Sequence, residues 1–237
     1  MCEEKNKTID KIKDYVPTTK TWGRAIVAAI PVIGGSLDHL LFDKAGEIRL
    51  QRLEESVKSI EEFISKIDKE RIDNNWFDNV EALDMFKQLY GKIEFEPSDS
   101  KVKALSQVYT LFGTKEHVSD PNKQAVLETI SKLTDNQRII FKAVGEVPIE
   151  RKTGSGEAIT YTASAIWQSS ILKYLNSNFK YLAQLKSATN IVQLNVELDI
   201  LASFNLLRNQ DVPNLNDKGY VITGLGNLAL SYLNEVA

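Results

Sequence analysis

Few residues in this chain are of a type that could hold a metal or attack a bond. The histidines are His39 and His117, and the one cysteine is Cys2. Zinc sites need clustered His, Cys and carboxylate ligands at short fixed spacings, and two distant histidines do not supply one. Asp38 and His39 are adjacent, so on a helix they point about 100° apart and cannot form an acid–base relay. His39 therefore reads as a core or boundary residue. Gly154-Ser155-Gly156 and Gly224-Leu225-Gly226 lack the spacing of phosphate-binding and dinucleotide-binding loops. They read as a loop tip and a helix-capping turn. The carboxylate pairs Glu54-Glu55 and Glu61-Glu62 lie in a charged helical run and read as solvated. No catalytic residue, metal ligand, cofactor or small-molecule substrate is assigned, and the expectation is a protein that is not an enzyme.

Two further fragments could do chemistry. Ser-x-x-Lys occurs at Ser100–Lys103 and at Ser170–Lys173, and Lys152-Thr153-Gly154 spells KTG. These pieces are similar to elements of penicillin-recognising enzymes, which would imply a serine nucleophile. The Ser-Asp-Asn element of that set does not occur, and a four-residue pattern that arises twice carries little information. Trp22, Trp76 and Trp167 read as packing anchors, because large aromatics dominate core energetics, with a pocket lining as the alternative.

The elements that position these residues are mostly helical. Residues 25–42 read AIVAAIPVIGGSLDHLLF, an apolar block broken by Pro31 and Gly34-Gly35. It is too short for a membrane span of about 20 residues, and Asp38 and His39 interrupt it. Either it tucks under a helical bundle, or Ile26, Val27, Ile30, Val32 and Ile33 form a surface for a partner or a membrane. An exposed patch of that kind is an aggregation liability, which favours the first reading.

Residues 44–71 predict a long helix with seven basic and seven acidic residues. Glu54, Lys58, Glu62, Lys66 and Glu70 alternate in sign at i, i+4, a ladder that keeps one face in water. Leu50, Leu53, Val57, Ile60, Ile64 and Ile67 make a narrow apolar seam on the other face. The seam lasts under three heptads, so an internal helical hairpin is expected before a free coiled coil. Residues 76–90 supply the returning helix. Further helices are expected over 102–112, from Asp120-Pro121 to 133, and after Thr134, whose spacing to Gln137 is that of a capping box. Residues 149–160 read as a basic, glycine-containing loop. Helical patterns return at 162–186 and 194–208, Tyr220-Val221-Ile222 reads as a short strand, and Thr223 can cap a last helix.

The stretches LTDNQRIIFKAV (133–144), LDILASFNLLRNQ (198–210) and GYVITGLGNLALSYL (219–233) together resemble a winged-helix domain. The resemblance rests on a first helix opening at Leu-Thr, a later helix ending in a Leu-Leu pair, and a strand returning into a threonine-capped helix. The whole chain also resembles a scattered group of uncharacterised bacterial proteins, in which a Gly-broken apolar segment leads into a charged helix and a winged-helix-like end. The expected fold is therefore mainly α: a helical hairpin or bundle over 1–120 and a winged-helix-like domain with a small β element over 121–237.

Charge bounds the function. The chain has 237 residues and a net charge of −3. A winged helix implies DNA, but residues 187–237 hold only Arg208 and Lys218 against five acidic residues. Cationic side chains supply most nonspecific DNA affinity. A helix over 194–208 would bring Arg208 alone, and the loop adds Arg151 and Lys152. The first reading is thus a non-enzymatic bacterial interaction protein working through helix-mediated contacts, with itself or with a protein partner. The second is a winged-helix DNA-binding regulator. The third is a membrane-active effector in stress or phage defence. A chain with no leader-like start and one cysteine is expected in the cytoplasm, with a peripheral position at the inner membrane as the alternative.

Overall fold

A computed structural model describes residues 44–155, 160–178, 181, 183–185, 191–210, 215 and 217–235. The apolar block at 25–42, with Ile26, Val27, Ile30, Val32 and Ile33, lies outside the described residues, as do Trp22, His39 and the side chain of Leu50. The chain forms two compact units, the first ending at Ser131 and the second spanning Lys132–Glu235. The helix at 123–132 buries Val126, Leu127 and Ile130 and belongs almost wholly to the first unit.

The first unit is helical. Its elements are α1 (Lys44–Lys66), a 3-10 turn (Lys69–Arg71), α2 (Asn74–Phe77), α3 (Val80–Ile93), α4 (Asp99–Phe112) and α5 (Lys123–Lys132). The predicted seam on α1 is core. Leu53, Val57, Ile60 and Ile67 are buried, with Phe63 beside them, while Ile64 is half-buried. Lys58, Glu62 and Lys66 of the ladder stay exposed.

The helix that covers this seam is chiefly α4, with a smaller contribution from α3, so the hairpin skips the helix next in sequence. Small polar residues make the approach. Ser106 donates to the Val102 carbonyl at 2.8 Å, which leaves its oxygen to accept from Ser56 at 2.7 Å. Ser59 donates to the Lys103 carbonyl at 3.4 Å. A buried hydroxyl is tolerated only when it is bonded in this way.

Helix α1 also ends earlier than expected, at Lys66, and Glu70 therefore leaves the charge ladder. Asp68 takes an extended conformation. Ile72 bridges to Thr114, the Asp73 N–H donates to the Gly113 carbonyl at 2.8 Å, and the Lys115 N–H donates to the Arg71 carbonyl at 2.8 Å. These long-range bonds, with the Arg71–Glu116 ion pair at 3.0 Å, outweigh the helix propensity of the segment.

Trp76 and Phe77 sit on the one-turn helix α2, capped by the Asp73 carboxylate accepting from the Asn75 N–H at 2.9 Å. Their rings are edge-to-face at 4.9 Å, and Tyr109 packs against Trp76, Phe77 and Phe86. Gly113 is required here, because a Cβ would lie 2.4 Å from the Phe77 ring. The Glu81 carboxylate accepts from the Trp76 indole N–H at 2.9 Å and from the buried Lys123 ammonium at 2.8 Å, which ties α5 to α2 and α3.

The second unit combines helices with a small sheet. Its elements are α6 (Asp135–Glu146), β1 (Glu150–Ser155), β2 (Thr160–Trp167), α7 (Gln168–Ser177), α8 (Ile191–Ser203), β3 (Leu207–Gln210), β4 (Gly219–Ile222) and α9 (Gly224–Glu235). The capping box of α6 forms as expected, with Thr134 and Gln137 bonding each other's backbone. Thr223 caps α9 by accepting from the Gly226 N–H at 2.9 Å. The sheet is antiparallel in the order β1-β2-β4-β3.

Three expectations are corrected in this unit. The loop expected at 149–160 is largely strand, because β1 finds six paired positions on β2. The helical pattern at 162–186 opens as strand and becomes α7 only at Gln168. The helix expected over 194–208 ends at Ser203, where Asn205 takes a left-handed φ of 57° and turns the chain into β3. The core is made by Ile140, Phe141 and Val144 of α6, Leu194, Leu198 and Leu201 of α8, and Tyr232 and Leu233 of α9, with Trp167 and Tyr220 from the sheet.

Replacing Ile60 by Ala should lower the unfolding free energy by about 2–5 kcal/mol, the range for emptying a buried aliphatic site. Lys58→Ala, on the opposite face of the same helix, should change it by no more than about 0.5 kcal/mol. Denaturant unfolding of both variants checks the assignment of the seam.

Candidate functional site

The three candidate cations of the second unit are separated by the sheet. Successive strand residues point to opposite faces, so Arg151 and Lys152 diverge. The register then places each of them. Glu150 pairs with Ala165, so Lys152 shares a face with Ala165 and Trp167. Trp167 pairs with Gly219, and Gly219 with Gln210, so Arg208 belongs to that face as well. Lys152 lies on one edge strand and Arg208 on the other, with two strands between them. That is a lateral spacing of roughly 14 Å. Arg151 lies on the opposite face, with Ile166 and Tyr220. The structure thus brings two of the three onto one surface, well apart, and excludes the third.

Lys152 is not available to a ligand phosphate. Its ammonium donates to the Asp217 carboxylate at 2.6 Å and to Ser169 Oγ at 3.1 Å, and it lies 5.2 Å from the centre of the Trp167 ring. Asp217 also accepts from the Ser169 backbone N–H at 3.0 Å and from the Ser169 hydroxyl at 2.5 Å. The first turn of α7 holds N–H groups that have no partner within the helix, and Asp217 supplies one acceptor. The Lys218 carbonyl supplies another, accepting from the Gln168 N–H at 2.9 Å. Partial burial pushes the Asp217 carboxyl up, but the bonds from Lys152 and Ser169 outweigh it and hold it below the ordinary aspartate range.

On the other face of the sheet, Lys218 pairs with Asp199 of α8 at 3.2 Å, and the Tyr220 hydroxyl donates to the same carboxylate at 3.4 Å. Glu197 of α8 accepts from the Gln137 side chain of α6 at 2.9 Å. Glu197, Asp199 and Asp217 are thus engaged in holding the unit together. Sequence reasoning counted them only as charge. The signal that could have found Asp217 is its position just before Gly219, where the chain re-enters the sheet. Arg151 and Arg208 are exposed. Of the apolar residues, Val196 on α8 is 54% exposed and Ile149 ahead of β1 is 70% exposed.

A hollow of about 440 Å³ lies beside the Asp217 seat, walled by Val147, Pro148, Glu150, Lys152, Ser170, Lys173 and Tyr174, among others. It gathers both the KTG lysine and the second Ser-x-x-Lys fragment. Ser170 donates to Glu150 Oε2 at 3.0 Å, so its proton is directed at a carboxylate and the serine–lysine spacing is not used as a pair. The Tyr174 hydroxyl donates to Glu146 at 2.6 Å, which raises its pKa.

The remaining candidates are placed as follows. Trp76 and Trp167 are fully buried and act as packing anchors. His117 is buried in the turn after α4. Among the described residues no His, Cys, Asp and Glu side chains group as metal ligands. Among them, too, no helix is long and apolar enough to cross a membrane. The membrane reading rests on residues 25–42, outside that set. No protein-family model, curated protein or solved structure matches this chain.

Because folding lowers the Asp217 pKa, its stabilisation is complete above the ordinary aspartate range, about 4, and is lost as pH falls through the lower folded value. Asp217→Asn should flatten that acid limb of the stability profile. It should also speed hydrogen exchange of the Ser169 amide at neutral pH, with the amides of α4 unchanged as an internal control.

Proposed function

We propose that this is a non-enzymatic interaction protein, and that residues 132–235 form a winged-helix module which meets protein through α8 and the β3–β4 wing. The order of elements supports the winged-helix reading. A helix opens at Leu133-Thr134, the β1–β2 hairpin and then the helices α7 and α8 follow, and a strand hairpin holding Leu207 returns into the Thr223-capped helix α9.

One observation carries the choice of protein over nucleic acid. The two lysines nearest the wing, Lys152 and Lys218, are each paired with a carboxylate of the same unit, Asp217 and Asp199. A cation already neutralised has no counterions to release from a phosphate backbone, and that release drives most nonspecific binding. The outward side of α8 offers Gln193, Val196 and Asp199, a surface with an apolar centre whose one bordering cation, Lys218, is paired with Asp199. Half-exposed aliphatic residues ringed by polar ones are the make-up of protein contacts. The α1 seam is buried within the chain, so contacts with a second copy are assigned to α8.

A DNA-binding regulator is the second reading, and the exposure of Arg151 and Arg208 is what favours it. Their placement on opposite faces of the sheet weighs against it, since one groove cannot reach both.

The full chain should show concentration-dependent sedimentation that Val196→Glu weakens, and duplex DNA at low salt should leave its sedimentation unchanged. Salt-steep DNA binding that is lost in the Arg151→Ala, Arg208→Ala double variant would replace this reading with the second.

A further inference from the structure

We propose that the hollow between the end of α6, β1 and α7 is a binding site for a small zwitterion, an α-amino acid with an apolar side chain. Its volume of about 440 Å³ falls within the range of small-molecule sites, roughly 300–1,000 Å³. Three elements of one unit build it, so its shape is set by packed secondary structure.

The charges around it decide the ligand class. Lys152 is engaged by Asp217, and Glu146 accepts from the Tyr174 hydroxyl. Among the described residues that line it, this leaves one group of each sign. Glu150 accepts from Ser170 through Oε2, which keeps Oε1 for a ligand. Lys173, one turn further along α7 from Ser170, has no hydrogen-bond or ion-pair partner among the described residues. A carboxylate and an ammonium that face one hollow without engaging each other fit a ligand that carries both charges. The ligand ammonium goes to Glu150 and its carboxylate to Lys173. Val147, Pro148 and the Tyr174 ring provide the apolar wall for its side chain. A ligand with a single charge meets only one of the two groups.

The test is isothermal titration of the full chain with L-phenylalanine at low ionic strength, alongside phenethylamine and phenylpropanoate, which each keep one of its charges. Phenylalanine should bind in the millimolar range or tighter, and each single-charge analogue about threefold to tenfold more weakly, as expected for partly solvated charge contacts. Glu150→Gln and Lys173→Met should each weaken phenylalanine by a similar factor, and Lys103→Met on α4 should not. Lys173 is exposed and carries no bond among the described residues, so its variant keeps the test sound even if Glu150→Gln disturbs Ser170. No heat at millimolar phenylalanine, equal binding of the analogues, or binding untouched by Lys173→Met overturns the proposal. None of these outcomes bears on sedimentation or DNA binding, so this site and the proposed protein contact stand or fall separately.

Discussion

The start of a helix presents backbone N–H groups with no acceptor inside the helix, and in the second unit the acceptor for α7 comes from far along the chain. Asp217 reaches back to the Ser169 amide and hydroxyl, and in doing so meets Lys152 on β1. One carboxylate therefore fixes the start of a helix, an edge strand and the entry to β4. A negative group at that end of α7 is also favoured by the helix dipole. The same contact sets the electrostatic character of the surface, because it pairs the charge of the lysine that would otherwise mark a phosphate footprint. Asp199 repeats the arrangement on the opposite face with Lys218. Lys152 and Lys218 are thus each held by a carboxylate of their own unit.

The first unit solves a different problem. A charged helix with a narrow apolar seam needs a close neighbour, and α4 comes close because Ser56, Ser59 and Ser106 are small and their hydroxyls are bonded. The aromatic cluster around Tyr109 fills the volume beneath, and Glu81 collects the indole of Trp76 and the ammonium of Lys123 at its margin. Lys123 is buried and paired, a state in which removing either partner leaves an uncompensated group. These devices are structural. They explain why Leu53, Val57 and Ile60 of α1 are spent inside the chain.

The hollow beside α7 shows how a fold gives new neighbours to unremarkable residues. Glu150, Ser170 and Lys173 come from a strand and a helix brought together by the β1–β2 register and the direct run of β2 into α7, whose start is held beside the β2–β4 pairing at Trp167 and Gly219. Gly219 permits that pairing, since a Cβ would lie 2.8 Å from the Gln210 carbonyl and 2.9 Å from the Ala165 side chain.

Local signals were legible in the sequence wherever the physics is local. The apolar spacing of Leu53, Val57 and Ile60, the Thr134–Gln137 capping box, the strand at Tyr220–Ile222 and the Thr223 cap all depend on residues within a turn or two of each other. The strands at 150–155 and 160–167 were missed because a hairpin rich in Lys, Thr, Gly and Ser resembles a loop until its partner is known. The end of α1 at Lys66 was missed because it is set by bonds to residues 113–115. The candidate site was legible only as residue types. Arg151, Lys152 and Arg208 could be named as cations, but their faces follow from sheet register, and Lys152's neutralisation follows from a residue 65 positions away. Sequence alone determined the mainly helical class, the buried faces and the charge balance, since these need only composition and periodicity. Tertiary structure decided the partner of α1, the seat of Asp217 and the walls of the hollow, because each is a contact between segments that chain order does not bring together.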